Sequence, residues 1–432
     1  MRITITVSVF ITILFLPVCQ GASNIPAAPN PPFQKIVMFG WRTAGSEVEC
    51  LKELLDVFSK QQPNIKVVNV SATAPPGTDT KALVKTLILT AGVPDVFEVR
   101  GGVELIRTWV VTDIVEPITD IWTGRPGDPA AEAWEKAFPQ GLLDLVSYKG
   151  EVYAIPAGVQ RCNVLWYNKK IFDKNGLEPP TTFEKFWEVA NVLQARGITP
   201  LAQASKEKWE ISHLFEDVLL GISGPGFYRQ LFEGKVPWTD SRVRQALETM
   251  VQMFNYINAD HAGLTWEGAA DLVIQGKAAM IIMGDWIKEY FTAHNWMPDE
   301  DFGALPSPGT EGSFIAVVDA FCLPKTTIRR YAVYSFFQCL GSIEGQEAFN
   351  ATRGSIPARI DIPREPYDRI AQREIDDLAT NELVPSLAHG SASVQAFTQA
   401  INEEMHIFIK ERDVNATAQR LEQLAKDFAL IN

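Results

Sequence analysis

Short apolar runs alternate with stretches of helical apolar spacing over the first hundred residues. The pattern predicts a strand over Lys35–Gly40 and a helix carrying Leu51, Leu54, Leu55 and Phe58 that ends before Pro63. A second strand, Ile65–Val70, a helix, Thr80–Thr90, and a third strand, Asp95–Val99, follow. This order is that of a parallel, doubly wound α/β unit. Ligands in such sheets sit beyond the carboxyl ends of strands. Trp41, Glu47, Glu98 and Arg100 all fall at or just past strand ends, which makes them candidates for ligand contact.

A Pro-, Gly- and Ala-rich stretch, Thr123–Phe138, leads to Val146–Pro156, which predicts a hairpin turning at Lys149-Gly150. The NVLWYN run, Asn163–Asn168, predicts a strand, and Thr182 an N-cap before an aromatic-rich helix. The chain then reads as mostly helical to Trp266. The stretch Gly263–Trp286, GLTWEGAADLVIQGKAAMIIMGDW, predicts a short helix, a turn at Gln275-Gly276-Lys277 and a buried strand, Ala278–Met283, ending in Gly284-Asp285-Trp286. Glycine there lets the backbone come close to another group. Trp266 and Trp286 offer flat apolar faces and Asp285 a carboxylate, a set suited to a sugar's C–H faces and hydroxyls. The competing reading places both tryptophans in the core. A strand over Ser313–Leu323 carries Asp319 in its middle, a charge in an apolar run that needs a partner or a ligand. A helix around Arg330–Leu340 and the closing helices complete the pattern, and Trp109, Trp122, Trp187 and Trp238 read as packing residues.

With 432 residues the chain has enough material for two or three domain cores. A net charge of −13 and the lack of a basic cluster exclude a phosphate-tracking surface, so no nucleic-acid partner is expected. Arg2 followed by the apolar run Ile3–Val18 reads as a signal peptide, too short for a membrane span. Leu16-Pro17-Val18-Cys19 is a loose lipobox with Cys19 as the lipidation site; cleavage near Ala22 competes with it. Residues 19–32 then form an extended tether.

Catalytic signatures are missing from the sequence. The five histidines form no HExxH or close pair, the cysteines form no CxxC, and no GxSxG, Walker or GxGxxG motif occurs. No metal, cofactor or catalytic residue is expected on these grounds. Paired carboxylates far apart in sequence stay open as a route to glycoside hydrolysis. Cys50, Cys322 and Cys339 lie in apolar contexts and read as buried thiols.

The segment Pro156–Lys174, PAGVQRCNVLWYNKKIFDK, with Tyr167-Asn168, Phe172 and Lys174, resembles the signature of extracellular solute-binding proteins serving sugar importers. The segments LKELLDVFSKQQPNIKV, GVPDVFEV, ELIRTWVV, GLLDLVSYKG, GKAAMIIMGDW and GSIPARID extend the likeness over nearly the whole chain, closest to bacterial glucose/galactose-binding proteins of ABC transporters. The resemblance implies a two-lobed α/β periplasmic-binding-protein-like fold. It has discontinuous lobes, a hinge, and an interlobe cleft that closes on a mono- or disaccharide. Lobe 1 would take residues 33–153 and 318–352, and lobe 2 residues 154–317 and 353–432. The implied partners are a sugar and ABC permease subunits, for a monomeric, exported protein touching membrane only through a lipid anchor. A glycan-active enzyme or a sugar-sensing receptor component on the same scaffold is the alternative.

Matched position by position, the resemblance places Trp41, Glu47, Trp266, Trp286, Asp319 and His389 around the sugar, with Asp319 accepting hydroxyls. Arg42, Glu98, Arg100 and Arg353 stand where the family has other residues. Arg100 is expected either to neutralise Glu98 or to orient it, with a purely structural pairing of Arg100 and Arg353 to Glu98 or Asp319 as the alternative, and these positions bear on which sugar is taken. Asp285 is expected to shape the turn that aims Trp286.

Overall fold

The computed structural model describes residues 33–42, 45–71, 86, 88, 94–123, 134, 136–351 and 353–428. The signal peptide, the tether with Cys19, Thr352, and most of the helix expected over Thr80–Thr90 and of the Thr123–Phe138 stretch lie outside these residues. No helix among the described residues is long and apolar enough to cross a membrane.

Twelve strands are described: β1 Gln34–Gly40, β2 Ile65–Ser71, β3 Val96–Arg100, β4 Ser147–Tyr148, β5 Glu151–Val152, β6 Ala154–Arg161, β7 Val164–Asn168, β8 Thr199–Ala202, β9 Ala278–Ile282, β10 Phe302–Pro306, β11 Ser313–Cys322 and β12 Glu382–Pro385. They build two lobes, each α/β. One lobe is centred on a six-stranded sheet of order β12-β11-β3-β1-β2 with β6 paired to β11; the other on a four-stranded sheet of order β10-β7-β9-β8. The expected parallel pairing holds where β1 runs alongside β2 and β3. Strand β11 differs: it pairs antiparallel with both β3 and β6, which makes the large sheet mixed. Strand β6 lies past the expected lobe boundary at residue 154, yet its partner is the strand carrying Asp319 in the large sheet. Strands β4 and β5 form the expected hairpin, with Lys149 and Gly150 both at positive φ, as a tight two-residue turn requires. The short strand β8 was not legible in a region that reads as helical, since Pro200 and the four-residue length hide it.

Strand β11 is buried over its whole length. Phe314, Ala316, Val318 and Ala320 point into the core of the large-sheet lobe, whereas Ile315 and Val317 enter a second core with the helices of the other lobe. The two-residue period of a strand thus feeds two cores at once. Asp319 follows Val317 on that alternation. Beside β11 the chain passes between the sheets at Cys162-Asn163 and again over residues 307–312. Asn163 stitches the two crossings: its Nδ2 donates to Thr310 Oγ1 (2.9 Å) and Ser313 O (3.1 Å), and its Oδ1 accepts from Ile315 N–H (2.8 Å). The long helix Trp209–Phe232 kinks at Gly224 (φ 72°), just before Pro225. Cys50, Cys162, Cys322 and Cys339 are buried free thiols.

Gly102 follows β3 where the loop Ser386–Ser393 leaves β12 of the same sheet toward the helix Gln395–Glu411. Its φ is +103°, and an added Cβ would lie 2.3 Å from the Ser391 carbonyl oxygen, which also accepts from Val103 N–H (2.8 Å). Gly102→Ala is expected to destabilise the protein by about 1–3 kcal/mol, read from urea unfolding. An unchanged midpoint would show that the loop withdraws at no cost.

Candidate functional site

A cleft of about 540 Å³ opens between two walls. The large-sheet wall brings Trp41 from the end of β1, Glu47 from the helix Gly45–Gln61, Glu98 and Arg100 from β3, Gln160 from β6 and Val317 from β11. Glu104, Thr108 and Trp109 come from a π-type turn, Glu104–Val110, in which Val111 N–H reaches back to Ile106 O (2.9 Å). Such wide turns displace side chains from regular helical positions and recur at functional sites. The facing wall brings Trp209, Trp266 and Trp286, each from the first residue of a helix, and His389 from the Ser386–Ser393 loop. Gln395, Thr398, Gln399 and Asn402 add one face of the helix Gln395–Glu411.

Five of the chain's 11 tryptophans line this one cleft, a concentration that core packing does not call for. Trp286, Trp266 and Trp209 are half-buried, with faces left to the cleft. Trp286 meets the rings of His389 (5.0 Å), His213 (5.7 Å) and Trp209 (6.4 Å), and Trp266 packs on Tyr290 (5.4 Å). Gly284 owes its identity to its neighbour: an added Cβ would lie 2.1 Å from the Trp286 ring. Asp285 is fully buried, and its carboxylate accepts from Arg161 N–H (2.9 Å) while its own N–H donates to Arg161 O (2.9 Å). The turn before Trp286 is therefore clamped to β6.

Arg42, Asp319 and Arg353 do not line the cleft; they form a buried charge cluster behind it. Asp319 is wholly inaccessible and is gripped by Arg42 (3.0 Å), Arg100 and Arg353. Glu98 accepts from Arg42 Nη2 (2.5 Å) and from Trp41 N–H (3.5 Å). Arg100 and Arg353 thus pair with Asp319, one of the pairings open from the sequence, while Glu98 pairs with Arg42 and not with Arg100. An added Cβ on Gly40 would crowd Glu98 Oε2 at 2.9 Å, so glycine there lets the carboxylate lie along the strand end. Phe349 backs Arg42 at 4.5 Å, and Arg100 lies over the Trp41 ring at 5.3 Å. Arg353 also faces Glu47 at 3.6 Å across the open edge of the cluster. Burial pushes the Arg100 and Arg353 guanidiniums down to about 10, and the neighbouring guanidiniums act the same way. Burial lowers Arg42 too, but Glu98, Cys50 and Glu47 outweigh it and carry Arg42 above its ordinary value.

Sequence reasoning missed Glu104, Thr108, Gln160, Trp209, Gln395, Gln399 and Asn402. The amides at 395, 399 and 402 share one helix face, a polar stripe that was available as a signal. Trp209 begins a helix buried on most sides, so no amphipathic pattern marks it. Trp109, read as packing, both packs on Phe97 (4.8 Å) and borders the cleft. Asn402 Oδ1 and Trp109 Nε1 have no hydrogen-bond partner among the described residues, which leaves polar capacity for a ligand.

Residues 44–347 match the model of the bacterial extracellular solute-binding protein family. The chain belongs to that family. It is 35% identical to an uncharacterized ABC transporter extracellular-binding protein of Pyrococcus horikoshii, over 96% of this chain and 93% of the relative. It is 30% identical to a probable sugar-binding periplasmic protein of Rhizobium meliloti, over 85% of this chain and 87% of the relative. Among solved structures it is similar to the bacterial solute receptor AcbH, described as having an exclusive preference for β-D-galactopyranose. The TM-score is 0.77 at 20% identity, covering 91% of this chain and 99% of that one. That likeness shows the two-lobed fold in this solute-binding protein.

Asp319→Asn removes the anion that three guanidiniums share. The variant is expected to lose about 3–5 kcal/mol of stability in denaturant unfolding, with little relief from added salt because the cluster is buried. A loss below about 1 kcal/mol would show that water or an anion replaces the carboxylate.

Proposed function

We propose that this extracellular solute-binding protein is the sugar-binding component of an ABC importer and delivers its ligand to the permease subunits. The observation that carries this reading is the cleft itself: five indoles interleaved with Glu47, Glu98, Glu104, Gln160, Gln395, Gln399 and Asn402. Aromatic faces take the apolar C–H faces of a sugar ring, and carboxylates and amides take its hydroxyls. The volume falls within the range of small-molecule pockets, about 300–1,000 Å³, and suits a mono- or disaccharide. The names of the Rhizobium relative and of AcbH point the same way.

Trp41, Glu47, Glu98, Arg100, Trp266, Trp286 and His389 are the contact residues in this reading. Arg42, Asp319 and Arg353 act one step behind, holding Glu98 and Arg100 in place as positioning residues. The two walls are joined at the mouth by Ser46 Oγ, which donates to Glu289 Oε2 (2.7 Å) from the helix that begins with Trp286. At that length the bond is fully formed and ties the two walls together.

Calorimetric titration of mono- and disaccharides tests the function. The expected result is a saturable heat with at least one sugar, and Trp286→Ala weakens that binding at least about tenfold with unfolding unchanged. No heat from any sugar would sink the reading, and turnover of a bound sugar would replace it with an enzyme. Export with a lipid anchor on Cys19 fits delivery at a membrane surface. Mass spectrometry of the membrane-bound protein should find the lipid on Cys19, and an unmodified mature N-terminus near Ala22 would refute it.

A further inference from the structure

At the cleft floor, four groups of metal-ligating type converge from three separate stretches of chain. Cys162 comes from the crossover between β6 and β7, His213 and Glu216 from one face of the helix Trp209–Phe232, and His389 from the Ser386–Ser393 loop. One candidate ligand atom from each lies within 4.8 Å of all the others. Cys162, His213 and Glu216 are buried, and His389 is half-buried at the cleft floor. His213 Nδ1 lies 3.3 Å from His389 Nε2 and 3.7 Å from Glu216 Oε1. Tetrahedral zinc with bonds of about 2.0–2.3 Å sets its ligand atoms roughly 3.3–3.8 Å apart, so these separations already match and the widest must close by about 1 Å.

The surroundings orient the ligands as well. Glu216 Oε2 accepts from Leu387 N–H (2.6 Å), Ala388 N–H (3.2 Å) and Tyr228 Oη (3.3 Å), which turns Oε1 toward His213. Ser386 Oγ bridges both oxygens of that carboxylate (2.9 and 3.1 Å). On the far side of the His213 ring, Nε2 and Asp217 Oδ2 stand 3.9 Å apart, beyond hydrogen-bond distance. Backbone and hydroxyl donors behind a carboxylate ligand are the kind of outer shell that metal sites use. Trp209 and Trp286 close the site with ring contacts to both histidines.

We propose that Cys162, His213, Glu216 and His389 bind a borderline divalent cation of the Zn²⁺ type. One thiolate, two imidazoles and one carboxylate select such an ion over Mg²⁺ or Ca²⁺. With all four positions filled by protein, the site is structural and closed. Coordination sends the Cys162 thiol proton to solvent and ties the Ser386–Ser393 loop to the long helix. It also fixes the tautomer of His389: with Nε2 on the metal, Nδ1 carries the proton and can only donate. The ion would then set the polarity of one cleft residue without itself touching a ligand. The site stands whether or not the cleft takes a sugar.

Tag-free, EDTA-treated protein titrated with Zn²⁺, and separately with Co²⁺, tests this. The expected result is stoichiometric binding, a thiolate-to-cobalt charge-transfer band with tetrahedral d–d bands, and a higher melting temperature with metal. Cys162→Ser should abolish the charge-transfer band and weaken Zn²⁺ binding at least about tenfold. Wild-type crystals soaked in Zn²⁺ give a readout free of any folding defect: the anomalous peak should lie among the four ligand atoms. No stoichiometric binding, or an anomalous peak only elsewhere, would overturn the proposal and leave a hydrogen-bonded His213–His389 pair.

Discussion

The structure depends on β11 being buried on both faces. Its even-numbered residues from Phe314 to Ala320 fill the core of one lobe, while Ile315 and Val317 fill the core of the other. A strand in that position admits no unpaired charge. Asp319 is nonetheless there, and it is tolerated because Arg42, Arg100 and Arg353 reach it from three separate parts of the chain. Each arginine is fixed in turn by its burial and by Glu98, Phe349 or Trp41. Buried pairs of this kind give modest net stability but allow few alternative arrangements, because removing any member strands the rest.

That constraint reaches the cleft through β3 and β1. Glu98 and Arg100 alternate with Phe97 and Val99 on β3, so the register that sends those two into the core sets Arg100 opposite Asp319 and Glu98 two residues away on the same face. Trp41 follows β1, within reach of Glu98 through its backbone N–H and beneath the Arg100 guanidinium. One wall of the cleft is accordingly set by electrostatics. The other is set by three helix starts, each with a tryptophan as its first residue, and by the Asp285–Arg161 clamp that holds the last of them to β6. Wall geometry here comes from rigid strand and helix ends, which suits a binder that must present the same surface repeatedly.

Much of this was legible in the sequence. The β1–β3 unit, the Lys149-Gly150 hairpin and the strand ending before Trp286 follow from apolar spacing and turn residues, and the structure has all of them. The cleft tryptophans at 41, 266 and 286 were found from strand-end and motif context. What periodicity could not show was pairing over long separations. A lone acid in an apolar strand left Asp319 open to a hydroxyl or a salt bridge; Arg100 and Arg353 were legible as partners, but that Arg42 joins them was not. The same limit hid the Cys162, His213, Glu216 and His389 cluster, whose members share no local spacing beyond the His213–Glu216 turn. Trp209 escaped because its helix is buried on nearly every side, polar residues included, so no amphipathic stripe marks it.

In the proposed binding mode, indoles and the forward charges meet the ligand while Asp319 stays behind them. A crystal structure with the tightest-binding sugar tests it most directly. The expected result is a sugar ring against the faces of the cleft tryptophans, with hydroxyls on Glu98, Arg100 or the amides of the Gln395–Glu411 helix. Asp319 would keep its three arginines. Hydroxyls bonded directly to Asp319, or a sugar seated away from Trp286, would contradict it.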